Sequence, residues 1–251
     1  MCGITGYLRT GDCTVSVKSA LRETMKGIAV RGRHASGFAA LKGDEIFAYK
    51  HHVPSTVLVK SHEWKKHSKA PDILIGHSRY ATHGDPKNND NNHPHWTEDM
   101  RYVMVHNGVV SDPVPEVETV SECDSEKLLR LIEKHGVVEG FRRIGQLPAS
   151  RYAVMLIDHH EGALYIYRNT SPCYFLDLSF ELGGLLFAST DDILIQSLKS
   201  AGLGIRAIRK RMTEILPGML YKFTPGSNKP KVKDLPLAEP AESGVLNWRS
   251  Y

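Results

Sequence analysis

At 251 residues, 41% hydrophobic and 24% charged, the chain is long enough for a large core and lies far from the composition of disordered proteins. Its 32 basic and 28 acidic residues leave a net charge of +4, too slight an excess to imply nucleic-acid binding without a concentrated basic stripe. No apolar run long enough to cross a bilayer occurs, and the N-terminus has neither a charged leader nor an apolar signal core, so no membrane association is expected and the cytoplasm is the expected location.

In chain order, "GITGYLR" (3–9) reads as a buried first strand directly behind Cys2, closed by a Thr-Gly-Asp turn. Residues 15–30 have apolar positions at helical spacing, and "GFAAL" and "EIFAYK" follow as a hairpin around a Gly-Asp turn. The stretch 55–70 fits an amphipathic helix or a surface loop, and its period does not decide. "DILIGHSR" (72–79) and "RYVMVHN" (101–107) are strands joined by a polar connection of a length that is usually functional. "DSEKLLRLIEKHG" (124–136) gives a helix with Asp124 at its start and Gly136 as its stop.

The remainder reads as strands at 151–158, 163–168, 173–178, 184–189, 204–208 and 214–223, with one helix at 191–201. Two helical regions and many alternating strands suggest two packed sheets flanked by helices. The basic run 205–212 reads as a solvated strand edge. From Pro225 the composition turns to Pro, Lys, Glu and Ser, so the domain is expected over 1–224, with 225–251 an extended tail that Trp248 and Tyr251 could dock back.

The cysteines at 2, 13, 123 and 173 form no C-x-x-C, which fits free thiols in a reducing compartment. Cys2 stands apart. Removal of the initiator methionine would put a thiol and an α-amine on one residue, and an amine with a pKa of about 7.7–8.0 can act as the base a thiol needs at neutral pH. Four polar clusters accompany it: "RGRHASG" (31–37), "GHSRYATHGDP" (76–86) with "NNHPH" (91–95), "HNG" (106–108) and "ECDSE" (122–126). Singly, each has an ordinary explanation as a turn, a cap or a surface ion pair. Thirteen histidines raise the question of a metal site, but no H-E-x-x-H or Cys/His quartet occurs, so structural hydrogen bonding is expected for them, with no metal and no cofactor.

Taken together and in this order, Cys2-Gly3-Ile4, an Arg-Gly turn, "HSRYATHG", "NHPH", "HNG" and "CDSE" resemble the class II glutamine amidotransferases of the N-terminal-nucleophile hydrolase superfamily, most of all the glutaminase domain of glucosamine-6-phosphate synthases. The resemblance implies an α+β fold, a four-layer αββα sandwich with two packed antiparallel sheets. It implies hydrolysis of L-glutamine to glutamate and ammonia through a Cys2 thioester, with the Cys2 α-amine as base. Asn107 and the Gly108 N–H would receive the oxyanion. Arg79 would grip the substrate carboxylate, with Thr82 and His83 lining that pocket; Asp124 would hold its ammonium and Arg31 would cover the nucleophile. No synthase half follows residue 224, so a separate ammonia-accepting synthase is the expected partner.

Two departures from the family pattern stand out. Arg33-His34-Ala35 replaces the usual aspartate- and serine-containing turn, and Tyr80 replaces a tryptophan. Two alternatives remain at this point: an N-terminal-nucleophile amidohydrolase for another amide, and a silent glutamine-binding subunit.

Overall fold

In a computed structural model that describes residues 2–14, 16–204 and 208–239, the chain begins with β1 (Gly3–Arg9), α1 (Ser16–Gly27), the hairpin β2 (Ala35–Lys42) and β3 (Glu45–His51), and two short helices, α2 (Ser55–Leu58) and α3 (His62–His67). It continues with β4 (Ile73–Arg79), β5 (His95–Trp96), β6 (Tyr102–Val109), α4 (Glu126–His135), α5 (Val137–Gly145), β7 (Arg151–Asp158) and β8 (Ala163–Arg168). The last elements are β9 (Tyr174–Leu178), α6 (Ser179–Leu182), β10 (Gly184–Ala188), α7 (Asp191–Ser200), β11 (Met212–Glu214), β12 (Met219–Phe223) and β13 (Lys231–Asp234).

The strands form two antiparallel sheets, ordered β11-β9-β10-β1-β4-β2-β3 and β13-β12-β8-β7-β6-β5. Alternation along the strands builds four layers, because successive side chains leave opposite faces of a sheet. In the first sheet Tyr7, Phe38 and Leu74 meet α1 and α7, whereas Ile4, Leu8, Ile73 and Ile75 face the second sheet. In the second sheet Val103, Val105, Met155 and Ile157 face inward, while Met104, Val154 and Leu156 pack under α4 and α5. The αββα sandwich is therefore present, with its middle core between the sheets.

Several details differ from what the sequence predicts. A second helix, α5, follows α4 at once: Gly136 (φ +77) closes α4 through its N–H to Ile132 O at 2.8 Å, and the chain turns straight into α5. Gly140 lies inside α5 because a Cβ there would come within 2.6 Å of Ile132 Cα, so it permits close helix contact and does not break the helix. The expected strand 214–223 is broken: its first residue, Glu214, closes β11 on the first sheet and only Met219–Phe223 form a strand of their own, β12 on the second, with Pro217 and Gly218 at the crossing. The basic run contains a 3₁₀ turn at Arg209–Arg211, where Arg211 pairs with Glu181 at 2.6 Å. Most of the expected strand 204–208 lies outside the described residues.

The stretch after 224 is not a free tail through its first part. Strand β13 pairs with β12, Leu235 is buried, and the Ala238 N–H donates to Gly145 O at 2.8 Å. Packing against the body thus continues at least to Ala238; Trp248 and Tyr251 lie outside the described residues.

Candidate active site

Strands β1 and β4 run antiparallel with Gly3 opposite Ser78. One step further along that register, Cys2 stands opposite Arg79. Alternation from Ile4 and Leu8 puts Cys2 on the face toward the second sheet, and alternation from Ile73 and Ile75 does the same for Arg79. Across the gap, Val103 and Val105 face inward, so Asn107 at the end of β6 faces the same space. The two sheets are tied at this end by His77, whose Nε2–H donates to His106 O at 3.0 Å.

Cys2 is partly exposed and its sulfur lies against the backbone of Tyr80, 3.4 Å from the N–H and 3.6 Å from the carbonyl. Burial pushes its thiol above the ordinary value; the Tyr80 N–H and the positive charge of Arg79 oppose the rise, and Asp124 adds to it. At neutral pH the group is therefore a thiol that needs a base. Arg31 reaches the same residue from the other side, its Nε donating to Cys2 O at 2.7 Å.

Arg79 is buried, and its guanidinium is held by Asn92 Oδ1 at 3.0 Å, Gly84 O at 3.1 Å and His83 O. Three of its five N–H donors are thus committed, leaving two without a partner among the described residues. Asn92, in turn, donates to Pro86 O at 2.8 Å and Asn89 Oδ1 at 3.1 Å, so the loop after β4 folds around the arginine. Thr82 and His83 contact each other at 3.2 Å and are exposed; it is the His83 backbone that meets Arg79.

Asn107 is fully buried, and neither its amide nitrogen nor its oxygen has a hydrogen-bond partner among the described residues. An orphaned buried amide is costly, and such a group signals a ligand or a catalytic role. Gly108 follows with φ +157, and a Cβ there would lie 1.8 Å from Arg151 O, so no other residue fits. Asp124 is buried rather than capping α4: its Oδ2 accepts from the Val110 N–H at 2.6 Å, and its negative charge is felt by both Cys2 and His106.

His34, at the departure from the usual turn, braces the neighbouring backbone. Its Nδ1 accepts from the Ala81 N–H at 2.9 Å, and its ring stacks on Tyr80 at 5.1 Å, holding the segment against which Cys2 rests. An open cleft of about 540 Å³ lies beside it, lined by 29–34 and Tyr80. Cys2, Thr82, His83, Asn107, Gly108 and Asp124 do not line this cleft.

Hydrogen bonding accounts for only some of the buried histidines. His106 Nε2–H donates to Arg151 O at 3.2 Å and its Nδ1 accepts from Ser125 Oγ at 2.7 Å. His93, by contrast, has no partner at either ring nitrogen, and His95 none at Nε2, among the described residues. The expectation of structural hydrogen bonding fails for His93.

The fold is that of the N-terminal-nucleophile type of glutamine amidotransferase domain. The chain superposes on glutamine phosphoribosylpyrophosphate amidotransferase from B. subtilis with a TM-score of 0.69 at 17% identity, over 95% of this chain and 50% of that one. On a glutamine aminotransferase class-II domain protein from Silicibacter pomeroyi the TM-score is 0.54 at 14% identity, over 93% and 99% of the two chains. By sequence the chain belongs with the glutamine–fructose-6-phosphate aminotransferases (isomerizing): it is 32% identical over 187 residues to that of Halalkalibacterium halodurans and 31% over 185 to that of Bacillus anthracis. Each alignment takes in 68% of this chain and 30% of the relative, so the chain spans about a third of the length of the proteins it matches. No protein-family model matches it.

Proposed function

We propose that the chain hydrolyses L-glutamine to glutamate and ammonia through a thioester on Cys2, once Met1 has been removed. The observation that carries this reading is the meeting of one thiol, one buried cation and one buried anion at the same end of the sandwich: Cys2 stands opposite Arg79, and the charges of Arg79 and Asp124 both act on its sulfur. A free amino acid with a side-chain amide needs that set.

The two uncommitted N–H groups of Arg79 bind the substrate carboxylate, and Asp124 binds the ammonium. The Cys2 α-amine takes the thiol proton, sulfur attacks the amide carbon, and the oxyanion is received by Asn107 Nδ2 and the Gly108 N–H. The proton then passes from the α-ammonium to the leaving nitrogen, ammonia departs, and water, deprotonated by the same amine, opens the thioester. Thr82 and His83 edge the carboxylate pocket, and Arg31 fixes the Cys2 backbone. No metal or organic cofactor takes part.

The ammonia goes to a separate synthase in the cytoplasm; Tyr80 and Val30, both exposed in the cleft lined by 29–34, offer apolar surface for such a partner. No helix among the described residues is long and apolar enough to cross a membrane.

A glutamine-mimicking electrophile such as a diazoketone tests the scheme. Intact-mass and peptide analysis are expected to show one adduct, on a cysteine that has become the N-terminus. Full activity in protein that retains Met1 would falsify the assignment of the base. A second prediction concerns Asn92, whose hydrogen bond orients Arg79. Asn92→Leu is expected to raise KM for glutamine about tenfold, the scale of a lost hydrogen bond to a charged group, with a much smaller change in kcat.

A further inference from the structure

The unpartnered histidines lie together with a cysteine. One ligand atom each from His93, His95 and Cys123 lie within 4.8 Å of one another, and all three residues are buried. The His93 and His95 rings meet nearly edge-on, at 4.6 Å and 79°. Three ring nitrogens here lack hydrogen-bond partners among the described residues: both of His93 and Nε2 of His95. Buried polar atoms in that condition call for an ion or a water.

We infer that His93, His95 and Cys123 form a binding site for a zinc-class divalent cation next to the glutamine pocket, and that filling it weakens glutamine binding through Asp124. Two imidazoles and a thiolate are the borderline-soft set that zinc takes, and with a water as fourth ligand they complete a tetrahedron. Metal–nitrogen and metal–sulfur bonds of about 2.0 and 2.3 Å require the three donors to draw together on binding. When a cation binds, the Cys123 S–H bond breaks, the sulfur pair goes to the metal and the proton leaves to solvent.

One charge opposes the ion. Lys50 donates to Asn92 O at 2.8 Å and its ammonium is felt by His95, although burial lowers its own pKa to about 8. The Cys123 thiolate cancels one of the ion's two charges and so lessens this repulsion. The linkage to glutamine follows from the neighbouring residue: Cys123 Sγ lies 3.8 Å from Asp124 Oδ1 and donates to it as a thiol. Metal binding removes that donor and leaves a net positive charge beside the carboxylate, in competition with the substrate ammonium. This second half rests on the proposed role of Asp124.

The test uses the full chain carrying Cys2→Ala, so that the active-site thiol takes up no metal and glutamine is not consumed. Titration with Co²⁺ is expected to give one ion per chain with a thiolate-to-cobalt charge-transfer absorption, displaced by Zn²⁺. That absorption should vanish with Cys123→Ser, and His95→Gln should lower the Co²⁺ affinity at least about tenfold; Lys50→Met should raise it. Absence of the absorption, or its persistence at full strength in both ligand variants, overturns the site. His95→Gln keeps the result readable should Cys123→Ser fold poorly. By calorimetry in the same Cys2→Ala chain, Zn²⁺ is expected to weaken glutamine about fivefold or more. An unchanged Kd overturns the linkage, whereas failure of the metal-free chain to bind glutamine strikes the proposed function and leaves the site to stand or fall on Co²⁺ alone.

Discussion

Cys2→Ala is expected to stop ammonia release from glutamine, with kcat down about 10⁶-fold, the scale on which removal of a covalent nucleophile acts. The chain should keep its fold, because among the described residues the sulfur makes only long polar contacts, 3.4 and 3.6 Å to the Tyr80 backbone, and Ile4 and Leu8 anchor β1 without it. Glutamine should still bind, since Arg79 and Asp124 are untouched, so calorimetry on this variant separates binding from chemistry. Cys2→Ser tests the base. It keeps the α-amine and replaces a thiol by a far weaker acid, so turnover should fall steeply without disappearing. In the wild type, kcat/KM should rise with pH until the α-amine is deprotonated, near its reference pKa of about 7.7–8.0. The sign is fixed by the buried thiol: its pKa is raised, so it stays protonated in this range, and activity follows the base. Ammonia release by Cys2→Ala at the wild-type rate would end the thioester scheme.

The sequence exposes the parts of the fold whose period is local. Strands such as 151–158 alternate two buried faces, and the cluster order around Cys2 is legible residue by residue. Long-range geometry is hidden. Gly136 signals the end of α4 correctly, but nothing local says that α5 begins on the next residue, with Gly140 packed against Ile132. Residues 214–223 read as one strand in sequence, whereas in space Glu214 belongs to the first sheet and Met219–Phe223 to the second, and nothing local tells which sheet receives each part. At the site, Arg79 can be singled out by its type and motif, whereas the part Asn92 plays depends on a loop folding back over thirteen residues and has no local signature. His34 is an unexplained departure in sequence and a backbone acceptor for Ala81 in space. The burial of Asn107 without a partner has no signal in sequence at all.

That unpartnered amide carries the second large effect. Asn107→Ala is expected to lower kcat about 10²–10³-fold, equivalent to about 2.7–4 kcal/mol of barrier, with little change in KM. The split between the two constants is the informative part. A ground-state amide carbonyl is a weak acceptor, whereas the tetrahedral oxyanion is a strong one, so a donor placed for the oxyanion acts mainly on the transition state. A purely structural Asn107 would give a different pattern. Its polar atoms make no hydrogen bond to the described residues, so removing them would relieve an unsatisfied buried group, and stability would rise or hold while kcat stayed put. Asn107→Leu sharpens the contrast by filling the space with apolar volume: thermal stability is expected to be retained, and turnover lost. Gly108→Ala does not serve as a companion test, because its Cβ would collide with Arg151 O at 1.8 Å and deform β6 itself. A variant at 107 that turns over glutamine normally removes the side chain from the oxyanion site and leaves its burial without a chemical reason.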